Sequence, residues 1–394
     1  MDKRVYLFMM VAFVTGMVEL IIGGILDLVA EDLHVSIGQA GLLITVFSIS
    51  FALSAPILLV ATSKMERKRL TLLSLLVFLL GNLAVVMSSS YAMLILARIL
   101  SAASGSLLLV LCVTMASRIV TEPYRGRAIG IVFMGVSGSL VFGIPFGVFL
   151  GNAFGWRTPF LLIMILTAIS MACVYVLMEK MEPRPQVSLR QQLATLRMRP
   201  VLFAQLTSFI FFVGHYTLYG YLTPFSKMTM GLDGTWVSIV YLVFGVAAVT
   251  GGGLGGMLSD RLGSRRTILF VVAMFAISLF VIPYTTFALP VFLILLIIWS
   301  ALSWALTPAM QSHLIETSPE TADIQQSLNN SSLHLGIAFG SLSGSIVIEQ
   351  SSVDMNPTVG GVFVLLALGA AIISIKAAQR RHIDMENTYE KTRA

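Results

Sequence analysis

An all-α membrane protein, with twelve transmembrane helices in two pseudo-symmetric six-helix bundles, is the fold class this sequence predicts. Three observations carry the prediction. Of the 394 residues, 57% are hydrophobic and only 11% charged, whereas a water-soluble chain holds about 25% charged residues. Apolar windows of about 18 residues or more recur along the whole chain, each long enough to cross a bilayer. Six such windows lie on either side of one long polar interruption, "MEKMEPRPQVSLRQQLATLRMRP".

The spans fall at 5–28, 37–61, 70–88, 91–116, 128–152, 157–178, 201–225, 235–258, 267–286, 290–312, 325–348 and 357–378. Lipid offers backbone N–H and C=O groups no partner, so each span is expected to be a helix. The first is too long for a signal-peptide core and lacks a small-residue cleavage pattern after it, so it is expected to stay in the protein. The expected units are a first bundle at 1–178, a linker at 179–200, a second bundle at 201–379 and a tail at 380–394. Cys112 and Cys173 fall inside spans and read as small apolar packing residues.

Charge sets the orientation. With both termini in the cytoplasm, only Arg157 and Lys227 of the 25 Lys and Arg residues fall on the outward side, Arg98 lies deep within a span, and the other 22 lie in inward segments or at inward span ends. This asymmetry is the positive-inside pattern, so the basic balance reflects topology and implies no nucleic-acid partner. The acidic outer loop "DLVAEDLH" agrees; "IETSPETAD", with acids and no bases, does not help.

A repeat relates the halves. Between spans eight and nine the chain reads "GMLSDRLGSRR"; between spans two and three, "LVATSKMERKR". Aligning Glu66 with Gly263 gives an offset of 197 residues, half the chain, and sets Lys68 and Arg69 against Arg265 and Arg266. At about the same offset, the glycines of span five (Gly135, Gly138, Gly143, Gly147) meet those of span eleven (Gly336, Gly340, Gly344). Two parallel halves about an axis along the membrane normal are one architecture of secondary transporters.

The stretch from Gly256 to Arg266, with Asp260 and Arg261 at its centre, resembles the signature loop of the major facilitator superfamily. Its first-half copy departs from the pattern, with Leu59, Ser63 and Glu66 in place of the usual Gly, Asp and Gly. Arg98 followed by "SAASGS" resembles that family's arginine motif. "GIPFG" (Gly143, Pro145, Gly147) resembles the span-five motif of its drug:proton antiporter branch, as do "EPYRGRAIG" and "GWRTPF". "VELIIGGIL", "RAIGIVFMG", "GHYTLYGYLTPF" and "DIQQSLNN" are together similar to bacterial purine base and nucleoside efflux pumps. The resemblance implies the major facilitator fold, alternating access, proton-driven export of purines, and Asp260, Arg261, Gly143, Pro145 and Gly147 as parts of the conformational switch.

Two formal charges lie deep within the spans, Glu19 and Arg98, while Asp27, Arg157 and Lys376 sit at span ends. A charge at a helix centre costs about 2.5–3.5 kcal/mol on insertion scales, so both are candidates for function, here proton coupling. Burial disfavours a carboxylate, which makes Glu19 a proton-exchange candidate as well as a substrate contact. Its structural alternative is a polar anchor for span one. Arginine holds its proton, so Arg98 divides between coupling and structure. Gly16, Glu19, Gly23 and Asp27 are spaced to share one helical face.

Further candidates for substrate binding follow from residue type. In span seven, His215 and Tyr219 are four apart, and Tyr216 stands 197 residues after Glu19; Tyr221 fits an interfacial aromatic belt. Span ten places Ser300, Trp304, Thr307 and Gln311 along one side, with Trp299 about 100° away on a face expected to meet lipid. Gln326, Asn330 and His334 in span eleven form a polar stripe, and an amide presents donor and acceptor side by side as a purine edge requires. Interhelical hydrogen bonding is the competing role for those amides. "GGGLGG" lacks the Lys-Ser/Thr of a phosphate loop, and no HExxH, GxSxG or paired-Cys motif is present, so neither enzyme, cofactor nor metal is expected. The expectation is a monomeric proton-coupled exporter of purine bases and nucleosides in a bacterial inner membrane. A multidrug or sugar exporter shares the scaffold, and a non-transporting membrane sensor is the reading from another class.

Overall fold

A computed structural model describes residues 2–121, 124–182 and 189–393 of the chain. Among them no strand occurs, and twelve helices are long and apolar enough to cross a membrane. The centre of the interruption between the halves, 183–188, and residues 122 and 123 of the exporter-like stretch lie outside the described residues.

The first half contains α1 (Arg4–Gly24), α2 (Leu26–Asp32), α3 (Ile37–Ala61), α4 (Arg67–Met87) and α5 (Tyr91–Arg118). It continues with α6 (Arg125–Gly138), a π-helical segment (Ser139–Gly143), α7 (Ile144–Phe154) and α8 (Thr158–Leu177). After the short α9 (Leu189–Ala194) come α10 (Arg199–Tyr219), α11 (Leu222–Met230), α12 (Gly234–Leu262) and α13 (Ser264–Val281). The chain ends with α14 (Leu289–Thr317), α15 (Ala322–Gln350) and α16 (Asn356–Arg393).

Hydropathy overruns two of these helices in the same way. Spans one and seven read as continuous to 28 and 225, but each breaks directly after a glycine, Gly24 or Gly220. Ile25 and Tyr221 hold the same break conformation, φ −122° and ψ 21°. The apolar run continues through the break because α2 and α11 are themselves buried on one side, so composition cannot reveal it. Glu19 and Asp27 consequently do not share a helix, and the common face expected from their spacing is split: a Cβ on Gly16 would meet Ser139, one on Gly23 the Gly220 carbonyl. Tyr221 is fully buried rather than interfacial, its hydroxyl donating to the Ser341 carbonyl at 2.8 Å.

The repeat extends to fine detail. Ser36 caps α3 through Gln39 N, and Asp233, 197 residues later, caps α12 through Trp236 N. Gly143 and Gly147 face Met17 and Ile21 of α1; at the same offset, Gly340 and Gly344 face α10. A Cβ at Gly340 would stand 2.5 Å from the Val213 carbonyl oxygen and 2.9 Å from the Tyr216 Cβ. Gly340 and Gly344 let α15 touch the α10 backbone, and Gly143 and Gly147 make room for the Met17 and Ile21 side chains, the close packing expected where lipid supplies no hydrophobic drive.

Glu66, where the first-half signature loop departs from its family pattern, forms a connection of its own. Its carboxylate caps α4 by accepting from Lys68 N and Arg69 N and reaches Met181 N, beyond α8, at 2.8 Å. Burial raises the Glu66 pKa, but the N–H groups of Met181, Arg69 and Lys68 outweigh it and hold the carboxyl below its ordinary value.

Gly340→Ala should therefore destabilise the protein by about 1–3 kcal/mol through overpacking. Gly253→Ala, where a Cβ meets nothing within 4 Å, should leave thermal unfolding in detergent unchanged. Equal melting temperatures for the two variants would remove the close α10–α15 approach as a source of stability.

Candidate functional site

The halves meet along two seams, α3 against α15 and α7 with the π segment against α12. Ser345 and Ser341 on α15 donate to the carbonyls of Gly38 and Gly41, both at 2.9 Å, and Thr45 donates to the Ala338 carbonyl at 3.2 Å. Ser36 bonds Glu349 at the end of this seam. The helix breaks add a third contact. The carbonyl of Gly24, next to the break, accepts from Thr223 at 3.1 Å, and Asp27 on α2 pairs with Lys227 on α11 at 2.6 Å. Asn152 approaches the same ammonium at 3.5 Å. These contacts cluster at one end of the molecule, the end of the 33–36, 231–233 and 351–355 connections. Towards the opposite end, where the basic loops lie, α6 packs within the first half while α7 engages α12. The cleft between the halves is thus closed at one end.

Glu19 projects from the middle of α1 into this cleft. Its nearest polar partner on the other half is the His334 imidazole on α15, with Oε1 and Nδ1 3.5 Å apart. The acid therefore belongs to one half and the imidazole to the other. His334 lies against the Phe51 ring at 4.2 Å between centroids. Arg98 makes no direct pair with Glu19: it donates to the Val18 carbonyl at 2.8 Å and lies 4.0 Å over the Phe47 ring. Its guanidinium is fully buried, and its Nε and one terminal nitrogen have no hydrogen-bond partner. Arg98 still acts on Glu19 through space. A cation held beside, but not on, the carboxylate offsets the cost of its burial and leaves its oxygens free for other partners.

Beside the acid stands a closed aromatic cluster. His215 and Tyr219 stack at 5.3 Å, and His215 lies 5.2 Å from Trp299 and 5.5 Å from Phe275. Tyr219 meets Phe244 at 4.7 Å, and Tyr216 at 5.2 Å. Trp299 corrects an expectation: it is fully buried in this cluster rather than facing lipid. Helical angle alone cannot tell which side of α14 faces its neighbours. Trp304 is half-buried outside the cluster, with its carbonyl and Cβ 3.9–4.0 Å from a Cβ on Gly252. Gln311 is exposed on α14. Gln326 and Asn330 are exposed one and two helical turns before His334 on the same face of α15, which places them on the cleft side. Asn329 points elsewhere, donating to Ser208 at 2.7 Å and to Gln205 at 3.1 Å. Pro145 opens α7 between Gly143 and Gly147. Asp260 and Arg261 are exposed at the end of α12 and make no ion pair among the described residues.

Sequence reasoning missed the Glu19–His334 pairing and the Asp27–Lys227 contact, both between residues far apart in the chain. A weak signal existed for the second, since Lys227 and Asp27 are charges flanking spans at nearly the repeat offset.

Two helical bundles about a polar cleft closed at one end define a secondary transporter. This chain belongs to the Major Facilitator Superfamily, whose family model matches residues 8–341. It is 32% identical over 370 residues to the uncharacterized MFS-type transporter YbcL of Bacillus subtilis strain 168, covering 94% of this chain and 95% of that one. It is 27% identical to the inner membrane transport protein YdhP of Escherichia coli K12, covering 93% and 94% respectively. Among solved structures, a D-xylose–proton symporter superposes with a TM-score of 0.79 at 15% identity, over 94% of this chain and 96% of that one. A bacterial homologue of the human lysosomal transporter Spinster, inward-facing and occupied, gives 0.76 at 16%, over 96% and 98%. These structural likenesses establish the fold. The protein is a multi-pass membrane transporter of a small molecule and not an enzyme.

Two outcomes follow at the closed end. Lys227→Met should lower stability by about 1–2 kcal/mol by leaving Asp27 unpaired, and adding Asp27→Asn should restore part of it; thermal unfolding of the single and double variants measures this coupling. Outside the spans, the Trp156 indole and the Arg157 guanidinium donate to Asp32 at 3.0 and 2.8 Å and hold its carboxyl below the usual range. That contribution is complete above about pH 4 and is lost as the pH falls through the lower folded value. The site is half open to water, so Asp32→Asn should cost no more than about 1 kcal/mol at neutral pH. Its unfolding curve should converge with the wild type in acid.

Proposed function

We propose that the protein is a proton-coupled exporter of purine bases and nucleosides in a bacterial inner membrane, working as a monomer by alternating access. The observation that carries the reading is Glu19, an acid in the cleft whose imidazole partner, His334, lies on the opposite half. Protonation changes the charge on that carboxylate and hence the relative free energies of states that differ in the contact. The repeat assigns residues 1–178 and 201–379 as the rocking bodies. The positive-inside pattern puts the basic end, and both termini, in the cytoplasm, which makes the structure inward-facing.

The purine assignment draws on the motif resemblance and on the chemistry of the cleft. Gln326 and Asn330 offer paired donors and acceptors for a heterocycle edge. His215 and Tyr219 are the proposed aromatic contacts beside Glu19, with ring faces suited to a planar heterocycle, and the fully buried Trp299 packs behind them. The relative named an inner membrane transport protein supports the location.

Purified protein in vesicles, supplied with radiolabelled adenine, hypoxanthine or guanosine under an imposed pH gradient, tests the reading. Gradient-driven movement of at least one purine is expected in the wild type, with a loss of tenfold or more in Glu19→Gln (roughly 1.4 kcal/mol per decade). Full coupled transport by Glu19→Gln would remove the coupling role. Folded wild-type protein that moves sugars or cationic drugs instead would overturn the purine assignment.

A further inference from the structure

From the pairing of Glu19 with His334 across the cleft, we infer that His334 is the residue through which the second half reads the proton: its contact with ionised Glu19 locks the empty, proton-free carrier with its outer end closed. The inference rests on the reading of Glu19 as the coupling acid and adds to it a named partner and a purpose.

Geometry is the first support. His334 Nδ1 is buried, stands 3.5 Å from Glu19 Oε1, and has no hydrogen-bond partner. A neutral imidazole with its proton on Nδ1 needs a short approach to donate to that oxygen. The remaining groups around the pair offer no substitute. Arg98 on α5 belongs to the same half as Glu19 and donates to the Val18 carbonyl, so it makes no link to the second half. Tyr216 and Tyr219 on α10 lie within electrostatic reach of the carboxylate, and His215 stacks one ring further away on Tyr219. From α3, the Phe51 ring packs on His334, and Phe47 lies beneath Arg98. Among the described residues, His334 is therefore the imidazole that joins the second half to the acid.

Chemistry supplies the switch. A hydrogen bond to an ionised carboxylate is about twice as strong as one between neutral groups. A proton taken from water by Glu19 converts the first into the second without moving either helix, and weakens the bridge between α1 and α15. The same seam carries the Ser341, Ser345 and Thr45 contacts, so loosening His334 loosens the point from which α15 can swing off α3. When the proton leaves to water on the cytoplasmic side, the carboxylate re-forms and the bridge tightens again. An exchanger needs this behaviour, because an empty, unprotonated carrier that changes face would dissipate the gradient. Arg98 sharpens the response: its fixed positive charge balances the carboxylate, so the proton-free site is the electrically neutral one.

The test reads conformation in substrate-free protein and so needs no knowledge of the cargo. Cys112 and Cys173 are replaced, and spin labels are placed at Glu31→Cys and Asp354→Cys, exposed outer-end positions on opposite halves. Inter-label distances are recorded in lipid nanodiscs between pH 8 and pH 5.5. The wild type is expected to shift from a single short distance towards a mixture, with the long-distance fraction rising about threefold or more. His334→Phe and His334→Leu, which cannot donate, should show a mixture at both pH values. His334→Gln, which keeps an N–H donor, should retain the shift. A wild-type distribution that ignores pH, or an unchanged shift in His334→Phe or His334→Leu while Glu19→Gln abolishes it, overturns the inference and, in the second case, leaves Glu19 as the coupling acid. A full shift in Glu19→Gln instead removes the acid itself from coupling, and the proposed function falls with it.

Discussion

A charge surrounded by apolar helices must be answered by another group or it will not stay charged. The arrangement of the cleft follows from how two such charges are answered separately. Arg98 finds the Val18 carbonyl and the Phe47 ring, both in its own half, so the first bundle is self-sufficient on that account. Glu19 is left with an imidazole in the other bundle. One charge thus sits within a body while the other faces a group on the second body, and only the second is a group that can take up a proton.

Around that pair, the duplication supplies matching parts and uses them unequally. Matching helix breaks at Ile25 and Tyr221 turn α2 and α11 toward each other and expose a carbonyl that Thr223 satisfies. Glycines at equal offsets bring α1 onto the π segment and α7, and α10 onto α15. Yet α6 passes into α7 through a π segment, whereas α15 is unbroken. The α7–α12 seam thus carries a π segment beside Met17, and the α3–α15 seam carries Pro56 within α3, so the two seams are interrupted by different means.

Much of this was legible in the sequence. Span number, the repeat and the two buried charges could be read because lipid imposes length and polarity rules on every helix. Ile25 and Tyr221 could not be read as break points, since the residues after them are as apolar as those before. Trp299 was expected to face lipid for a related reason: a helix buried on several sides has no polar face to orient it. The stripe of Gln326, Asn330 and His334 was visible, but its partner was not. Spacing along one helix says which residues share a face and nothing about what stands opposite. Glu19 was conspicuous by its cost; His334 became so only through its neighbour.

The repeat offset carries an evolutionary consequence. Carried across 197 residues, Glu19 falls on Tyr216 and His334 on Ser137. Two copies of the first half, assembled about the same axis, would set a carboxylate against a serine hydroxyl; two copies of the second would set a phenol against an imidazole. Neither homodimer contains an acid facing a base, so the present-day bridge could not have been inherited from a symmetric ancestor built of either half. The Glu19–His334 bridge is therefore a property of the difference between the halves, carried by neither half alone.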